Sequence, residues 1–328
     1  MRICLVGHHV DQPDEAVRKI THHLAEELAR RHDVLRVNVG HVTSWRGIRE
    51  FEPEIIHFVL SPTLQGLAVA KVFSLAHRSA ASVVSAPHPD LSSLGRMASW
   101  FKPDLVLVQA EDSERRFRSL GFRTEYLPNG VDTARFVPVD SSTKKHLREK
   151  YEVDTDTFVI LHVGAVNRGR NLESLQRVQG GGVQVLILGR ASERGDAGLA
   201  NELRQSGCLV WTHYVACLEE VYALSDCYVF PTTHRRYCVE LPLSVLEAMS
   251  CNLPVVTTRF GALPRAFEEG DGLIFAADGD KALAAGVERV RAGLRMATRD
   301  QVLPLDWASI GEELERTYSS LLAPSAAT

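Results

Sequence analysis

The chain has 328 residues, 45% of them hydrophobic and 24% charged, with a formal net charge of −4 and a pI near 6.4. That length suggests about two globular domains, and the mild acidity offers no general basic field for nucleic acid. No stretch approaches the roughly 18 apolar residues that span a bilayer, and MRICLVG enters a strand with no basic leader, so a membrane anchor and secretion are disfavoured and a cytoplasmic protein is expected. The cysteines form no CxxC and no ligand pair with histidine, which argues for reduced thiols over a disulfide framework or a zinc site.

Short apolar runs at 3–6, 34–39, 55–59, 82–86 and 104–108 alternate with helical patterns. Such alternation implies βαβ units and a parallel sheet. Between the first two runs, Val17, Ile20, Leu24 and Leu28 recur at helical spacing, with Asp14 and Glu15 in the expected first turn. The pattern breaks at Pro128-Asn129-Gly130-Val131-Asp132, and a polar stretch over 138–150 precedes a new strand at 158–163, which places a domain boundary there. Strands expected at 183–188, 227–230, 255–258 and 273–275, with helices between them, repeat the first architecture. Trp307, Ile310, Leu314, Tyr318 and Leu322 then mark a last helix, which either caps the second domain or crosses back to the first.

Parallel sheets bind ligands outside the carboxyl ends of their strands, so two such domains are expected to enclose a cleft. The strand at 158–163 runs into Gly164, and Arg168 and Arg170 follow before a helix expected from Leu172. This is a candidate anion cradle; the alternative is that both arginines are solvated loop residues. After the strand at 227–230, Pro242 suits the first turn of a helix whose free amides at Leu243 and Ser244 favour a phosphate. Glu247, inside the apolar segment LSVLEAM, needs a polar partner, either a ribose diol or a neighbouring loop. His88 follows the fourth strand at a carboxyl end.

No GxGxxG follows the first strand, where Gly7-His8-His9-Val10-Asp11-Gln12 stands, and there is no GxxxxGK[ST] or GxSxG. The DxD matches at Asp154-Thr155-Asp156 and Asp278-Gly279-Asp280 read as turns. Over 91–102, Leu91, Leu94, Ala98 and Phe101 could share one helical face, with Trp100, Arg96 and Lys102 nearby. That face is either an interfacial membrane helix or packing for the first sheet.

Four segments together resemble the retaining GT-B glycosyltransferases of family four, or group one: LPNGVDTARF at 127–136, LHVGAVNRGRNLESL at 161–175, VYALSDCYVFPT at 221–232 and ELPLSVLEAMSCNLPVVTTRFGALPR at 240–265. The resemblance implies an α/β GT-B fold of two Rossmann-like, doubly wound parallel-sheet domains facing a central cleft. An acceptor-binding domain would cover 1–137, a nucleotide-sugar donor domain 138–304, and a helix over 305–328 would cross back to the first. It further implies a metal-independent, retaining hexosyltransferase without a cofactor. Such an enzyme moves a sugar from a nucleotide-diphosphate donor to a hydroxyl of a glycan or lipid-linked acceptor, without nucleic acid and with peripheral contact at the cytoplasmic face of the membrane.

In the donor site so implied, Glu247 binds the ribose, Arg168 and Arg170 the diphosphate, and the backbone of Tyr214 and Val215 the base; Gly164, Glu240, Leu241, Leu243 and Ser244 complete it. His88 near the reacting sugar, and Glu240 orienting sugar hydroxyls, are the catalytic candidates. The sequence departs from the family pattern at Val239, where a glutamate is expected, at Ala165 and Arg170 in place of arginine and lysine, and in the missing glycine turn after the first strand. A catalytically inactive nucleotide-sugar-binding protein and a GT-B-fold nucleotide-sugar epimerase remain alternative readings.

Overall fold

The computed structural model describes residues 1–9, 15–38, 45–60, 62–90, 94–190, 197–277 and 279–323. The chain divides into two compact units, one of 1–130 with 239–241 and 307–328, the other of 131–238 with 242–306.

The first unit's strands are β1 (Arg2–Gly7), β2 (Asp33–Asn38), β3 (Ile55–Val59), β4 (Ala81–Ser85), β5 (Leu105–Val108) and β6 (Thr124–Tyr126). They form one parallel sheet in the order β2-β1-β3-β4-β5-β6. The central strands are buried along their length, which is why β3 and β5 read as unbroken or nearly unbroken apolar runs. The helices α1 (Ala16–Ala29), α2 (Trp45–Phe51), α3 (Leu64–Ala76) and α4 (Glu111–Ser119) connect them. The amphipathic α1 buries Ile20, Leu24 and Leu28, as its periodicity predicts; Glu15 is its N-cap residue, and Asp14 lies outside the described residues. Val6, Ile56, Phe58, Phe73, Val84, Val106 and Phe117 form the core.

The second unit holds α5 (Ser141–Lys150), β7 (Phe158–Val163), β8 (Val183–Leu188), α6 (Ala197–Gln205), β9 (Leu209–Trp211), α7 (Leu218–Ala223), β10 (Cys227–Phe230), α8 (Leu243–Ser250), β11 (Val255–Thr257), α9 (Leu263–Ala266), β12 (Leu273–Phe275), α10 (Asp280–Arg291) and α11 (Thr298–Val302). Its parallel order, β12-β11-β10-β7-β8-β9, is the Rossmann order, and the direction of winding reverses between β7 and β10.

Local structure departs from the sequence reading at several points. The helix expected from Leu172 is replaced by two 3-10 segments, Arg168–Arg170 and Leu172–Arg177, separated by Asn171 in the left-handed conformation at φ 57°. The polar stretch expected as a linker contains α5, whose N-cap Asp140 accepts from the Thr143 amide at 2.7 Å. Buried Arg148 fastens α5 through the carbonyls of Leu224, Thr155 and Thr157 and an ion pair with Asp226. Asp154 accepts from the Asp156 amide at 2.8 Å, closing a local turn, whereas Asp278 lies outside the described residues.

The last helix, α12 (Trp307–Leu322), belongs to the first unit. Arg31, in the turn after α1, reaches Glu312 at 2.8 Å and Glu315 at 3.2 Å, and the His23 ring on α1 stacks on Trp307 with centroids 4.8 Å apart. Deeper in, Tyr318 Oη lies 2.6 Å from His57 Nδ1, and the other ring nitrogen meets Ser85 Oγ at 2.8 Å. Among the described residues, no helix is long and apolar enough to cross a membrane.

Candidate functional site

The carboxyl end of β7 lies where the strand order of the second unit reverses, the place an open α/β sheet offers a ligand. Gly164 follows it with φ +155°, and a Cβ there would stand 2.0 Å from Arg170 Nη1. The guanidinium therefore rests against the glycine backbone, an approach that no larger residue permits. Arg170 Nε donates to the Tyr237 carbonyl at 3.2 Å, and among the described residues no carboxylate pairs with it.

Arg168 is placed differently. It forms ion pairs with Glu202 at 2.5 Å and Glu173 at 2.8 Å, whose hydrogen bonds raise its pKa further. The arginines expected to act together thus differ: the charge of Arg168 is compensated locally, while that of Arg170 is open to an anion.

Beside them lies a residue that the sequence reading missed. His162 is fully buried on β7, its Nδ1 donating to the Val229 carbonyl at 3.0 Å, while its Nε2 has no hydrogen-bond partner. That nitrogen points toward Gly164, 3.4 Å from where a Cβ would stand. Burial, and then the charge of Arg170, push its pKa down to about 3, so the ring is neutral and presents a lone pair beside the arginine. The available signal was a polar residue inside an apolar strand.

Helix α8 begins at Leu243; Pro242, expected in its first turn, is instead the extended N-cap residue at φ −65°, and no side chain caps the first amides. Tyr228 ties this end to β7: its hydroxyl donates to Ser244 Oγ at 2.7 Å and lies 3.3 Å from the Val163 carbonyl. Glu247 follows Ser244 at i+3 and so shares its helix face. It is buried and accepts from the Tyr222 hydroxyl at 2.7 Å. Burial and the Glu247 charge push the Tyr222 pKa well up, which keeps that phenol a donor. Leu243 is buried in the first turn, whereas Val215 is half-buried and Tyr214 exposed in the loop after β9.

The remaining expected residues belong to the first unit. Glu240 and Leu241 group there although Leu243, Ser244 and Glu247 do not. The Glu240 carboxylate accepts from the Ala110 amide at 3.0 Å and from Ser113 Oγ, so it supplies the N-terminal cap that α4 otherwise lacks. Its amide donates to the Pro87 carbonyl at 2.8 Å, one residue before half-buried His88. Leu241 is clamped by its carbonyl to Asn129 Nδ2 at 2.7 Å and by its amide to Gln109 Oε1 at 3.1 Å, while Gln109 Nε2 donates to Asn129 Oδ1 at 2.6 Å. The neighbouring Gly130 lets the Trp307 ring approach, since a Cβ there would fall 2.5 Å from it. The Pro-Asn-Gly motif is thus a structural clamp.

Residues 157–292, which lie in the second unit except for 239–241, match the family model described as glycosyl transferases group 1. The chain is 28% identical over 228 residues to the GDP-mannose-dependent alpha-(1-6)-phosphatidylinositol monomannoside mannosyltransferase of Mycolicibacterium smegmatis, covering 62% of this chain and 57% of that one. It is 29% identical over 250 residues to the D-inositol 3-phosphate glycosyltransferase of Corynebacterium jeikeium, covering 66% and 58%. The chain therefore spans little more than half the length of these curated relatives. Among solved structures, Anabaena HepE in complex with UDP superposes with a TM-score of 0.78 over 98% of this chain and 100% of that one at 17% identity. Sucrose-phosphate synthase from Thermosynechococcus elongatus gives 0.78 over 99% and 100%, also at 17% identity. Both likenesses concern the fold, which is GT-B.

Proposed function

We propose that this chain, whose residues 157–292 match the group 1 glycosyltransferase model, is a retaining glycosyltransferase using a nucleotide-diphosphate sugar. The observation that carries the proposal is the arrangement at the strand-order reversal. Among the described residues Arg170 has no carboxylate partner, the α8 N-terminus has no side-chain cap, and buried Glu247 lies one turn further along the same helix face. A cation and free amides suit a diphosphate, and a carboxylate suits the ribose diol. The mannosyltransferase relative is named as GDP-mannose-dependent and the HepE structure contains UDP, which supports a nucleotide-sugar donor here without choosing the base.

Transfer with retention breaks the bond between the anomeric carbon and the diphosphate oxygen while the acceptor oxygen arrives on the same face. The departing phosphate accepts the acceptor's proton. Arg170 and the α8 amides at Leu243 and Ser244 stabilise the negative charge that develops on the leaving group, without a metal. His88 lies near the reacting sugar, the Tyr214–Val215 backbone meets the base, and Glu240 is a positioning residue that holds α4 and the 239–241 segment. The acceptor is a hydroxyl on a glycan or lipid-linked molecule, and the protein works in the cytoplasm with peripheral membrane contact.

Thermal unfolding with a panel of UDP, GDP and ADP sugars tests the reading. At least one donor should raise the midpoint, and in EDTA as in its absence. No shift from any of them at saturating concentration contradicts it.

A further inference from the structure

The helix α3 lacks the polar outer stripe that a helix on a solvated sheet ordinarily carries. Leu67, Ala70 and Phe73 face the core, whereas the opposite positions are Val69, Val72, Leu75 and Ala76, with Val72 52% and Leu75 55% exposed. Beside it, the 3-10 helix Arg96–Phe101 turns Ala98 inward and leaves Met97 55% and Trp100 72% exposed. The two elements adjoin: Lys71 Nζ donates to the Lys102 carbonyl at 3.3 Å, and Leu75 lies one turn beyond Lys71 on that flank. Large apolar side chains exposed on two adjoining elements are costly in water and mark a place where something docks.

Charge identifies the occupant. Residues 64–78 and 94–103 contain Lys71, Arg78, Arg96 and Lys102 and no aspartate or glutamate, in a chain whose formal net charge is −4. Arg78 and Arg96 are exposed. Apolar side chains with an exposed tryptophan, accompanied within both segments by cations and no acid, complement a surface of anionic headgroups over hydrocarbon. The tryptophan suits that boundary because its ring is apolar and its N–H polar.

We propose that Val69, Val72, Leu75, Met97 and Trp100, with Arg78 and Arg96 beside them, form the face that seats this protein on an anionic lipid bilayer. The purpose of the seat rests on the reading of a membrane-presented acceptor; its geometry does not. The face also differs from the one expected from the sequence. Leu94 and Ala98 are core residues and Phe101 packs against them, while Leu91 lies outside the described residues. The seat lies instead on the outward side of the same segment, together with α3.

Flotation of the full chain with vesicles of phosphatidylglycerol and phosphatidylcholine, and of phosphatidylcholine alone, tests this surface. The protein should float with the anionic vesicles at low salt, less as salt rises, and scarcely with the neutral ones. The double variant Leu75→Ser/Trp100→Ser should lower the bound fraction roughly tenfold with an unchanged thermal midpoint, because both side chains stand in solvent. Absence of flotation with anionic vesicles at low salt overturns the proposal. So does a variant that floats as well as the parent, or a parent that self-associates through this face and does not float. A chain that floats but is stabilised by no nucleotide sugar keeps its membrane face and loses the glycosyltransferase reading, so the two failures are distinct.

Discussion

At the residue scale, the two arginines differ in whether their charge is already satisfied. Arg168 spends its guanidinium on Glu173 and Glu202, whereas Arg170 is pressed against Gly164 beside the unpartnered Nε2 of His162. Arg170→Ala is therefore expected to weaken nucleotide-sugar binding and turnover by more than tenfold, with Arg168→Ala within about threefold of the parent, since only the first removes an uncompensated cation from the diphosphate. Equal losses in titration calorimetry would refute that division. Glu247→Gln should cost about 1.5 to 3 kcal/mol of donor binding, the worth of a hydrogen bond to a charged group. Donor affinity unchanged in the same titration would remove Glu247 from the ribose. From the sequence, both arginines looked alike because Glu202 lies far along the chain from Arg168, and no local pattern announces that pairing.

At the element scale, strands buried on both faces were readable as apolar runs, and α1 and α12 as periodic ones. The short edge strands β6 and β9 offer too few residues for a pattern, and α5 buries only Leu147 and Arg148 among polar neighbours, so it reads as a linker. The packing of α12 makes a prediction of its own. His57, held between Tyr318 and Ser85, is fully buried, and burial lowers its pKa to about 3. Below its unfolded value near 6.5 the unfolded chain binds a proton that the folded unit refuses. The stability of the first unit is thus fully present above about pH 6.5 and is lost as pH falls toward 3, at up to about 1.4 kcal/mol per pH unit from this group. Denaturant unfolding at neutral and mildly acid pH should show the loss, and His57→Asn should flatten it; an equally steep loss in the variant would assign it elsewhere.

At the scale of the whole molecule, two parallel sheets were foreseeable from alternation, each lacking the edge strand that the structure adds, and the GT-B resemblance from segments spread along much of the chain. How the chain groups its neighbours was not. The motif that carries Glu240, Leu241, Leu243, Ser244 and Glu247 is continuous in sequence, yet its first two members are bonded to Ala110, Ser113, Gln109 and Asn129 of the first unit. Linear spacing cannot reveal that change of partner, because the hydrogen bonds that cause it come from residues more than a hundred positions away.

The central claim is transfer with retention from a nucleotide-diphosphate sugar. Proton NMR of the anomeric signals during hydrolysis of whichever donor stabilises the protein tests it most directly, read before the free sugar mutarotates. The first sugar released should carry the anomeric configuration of the donor, because water enters on the face that the diphosphate leaves. First release of the opposite anomer, or no release from any stabilising donor, would contradict it.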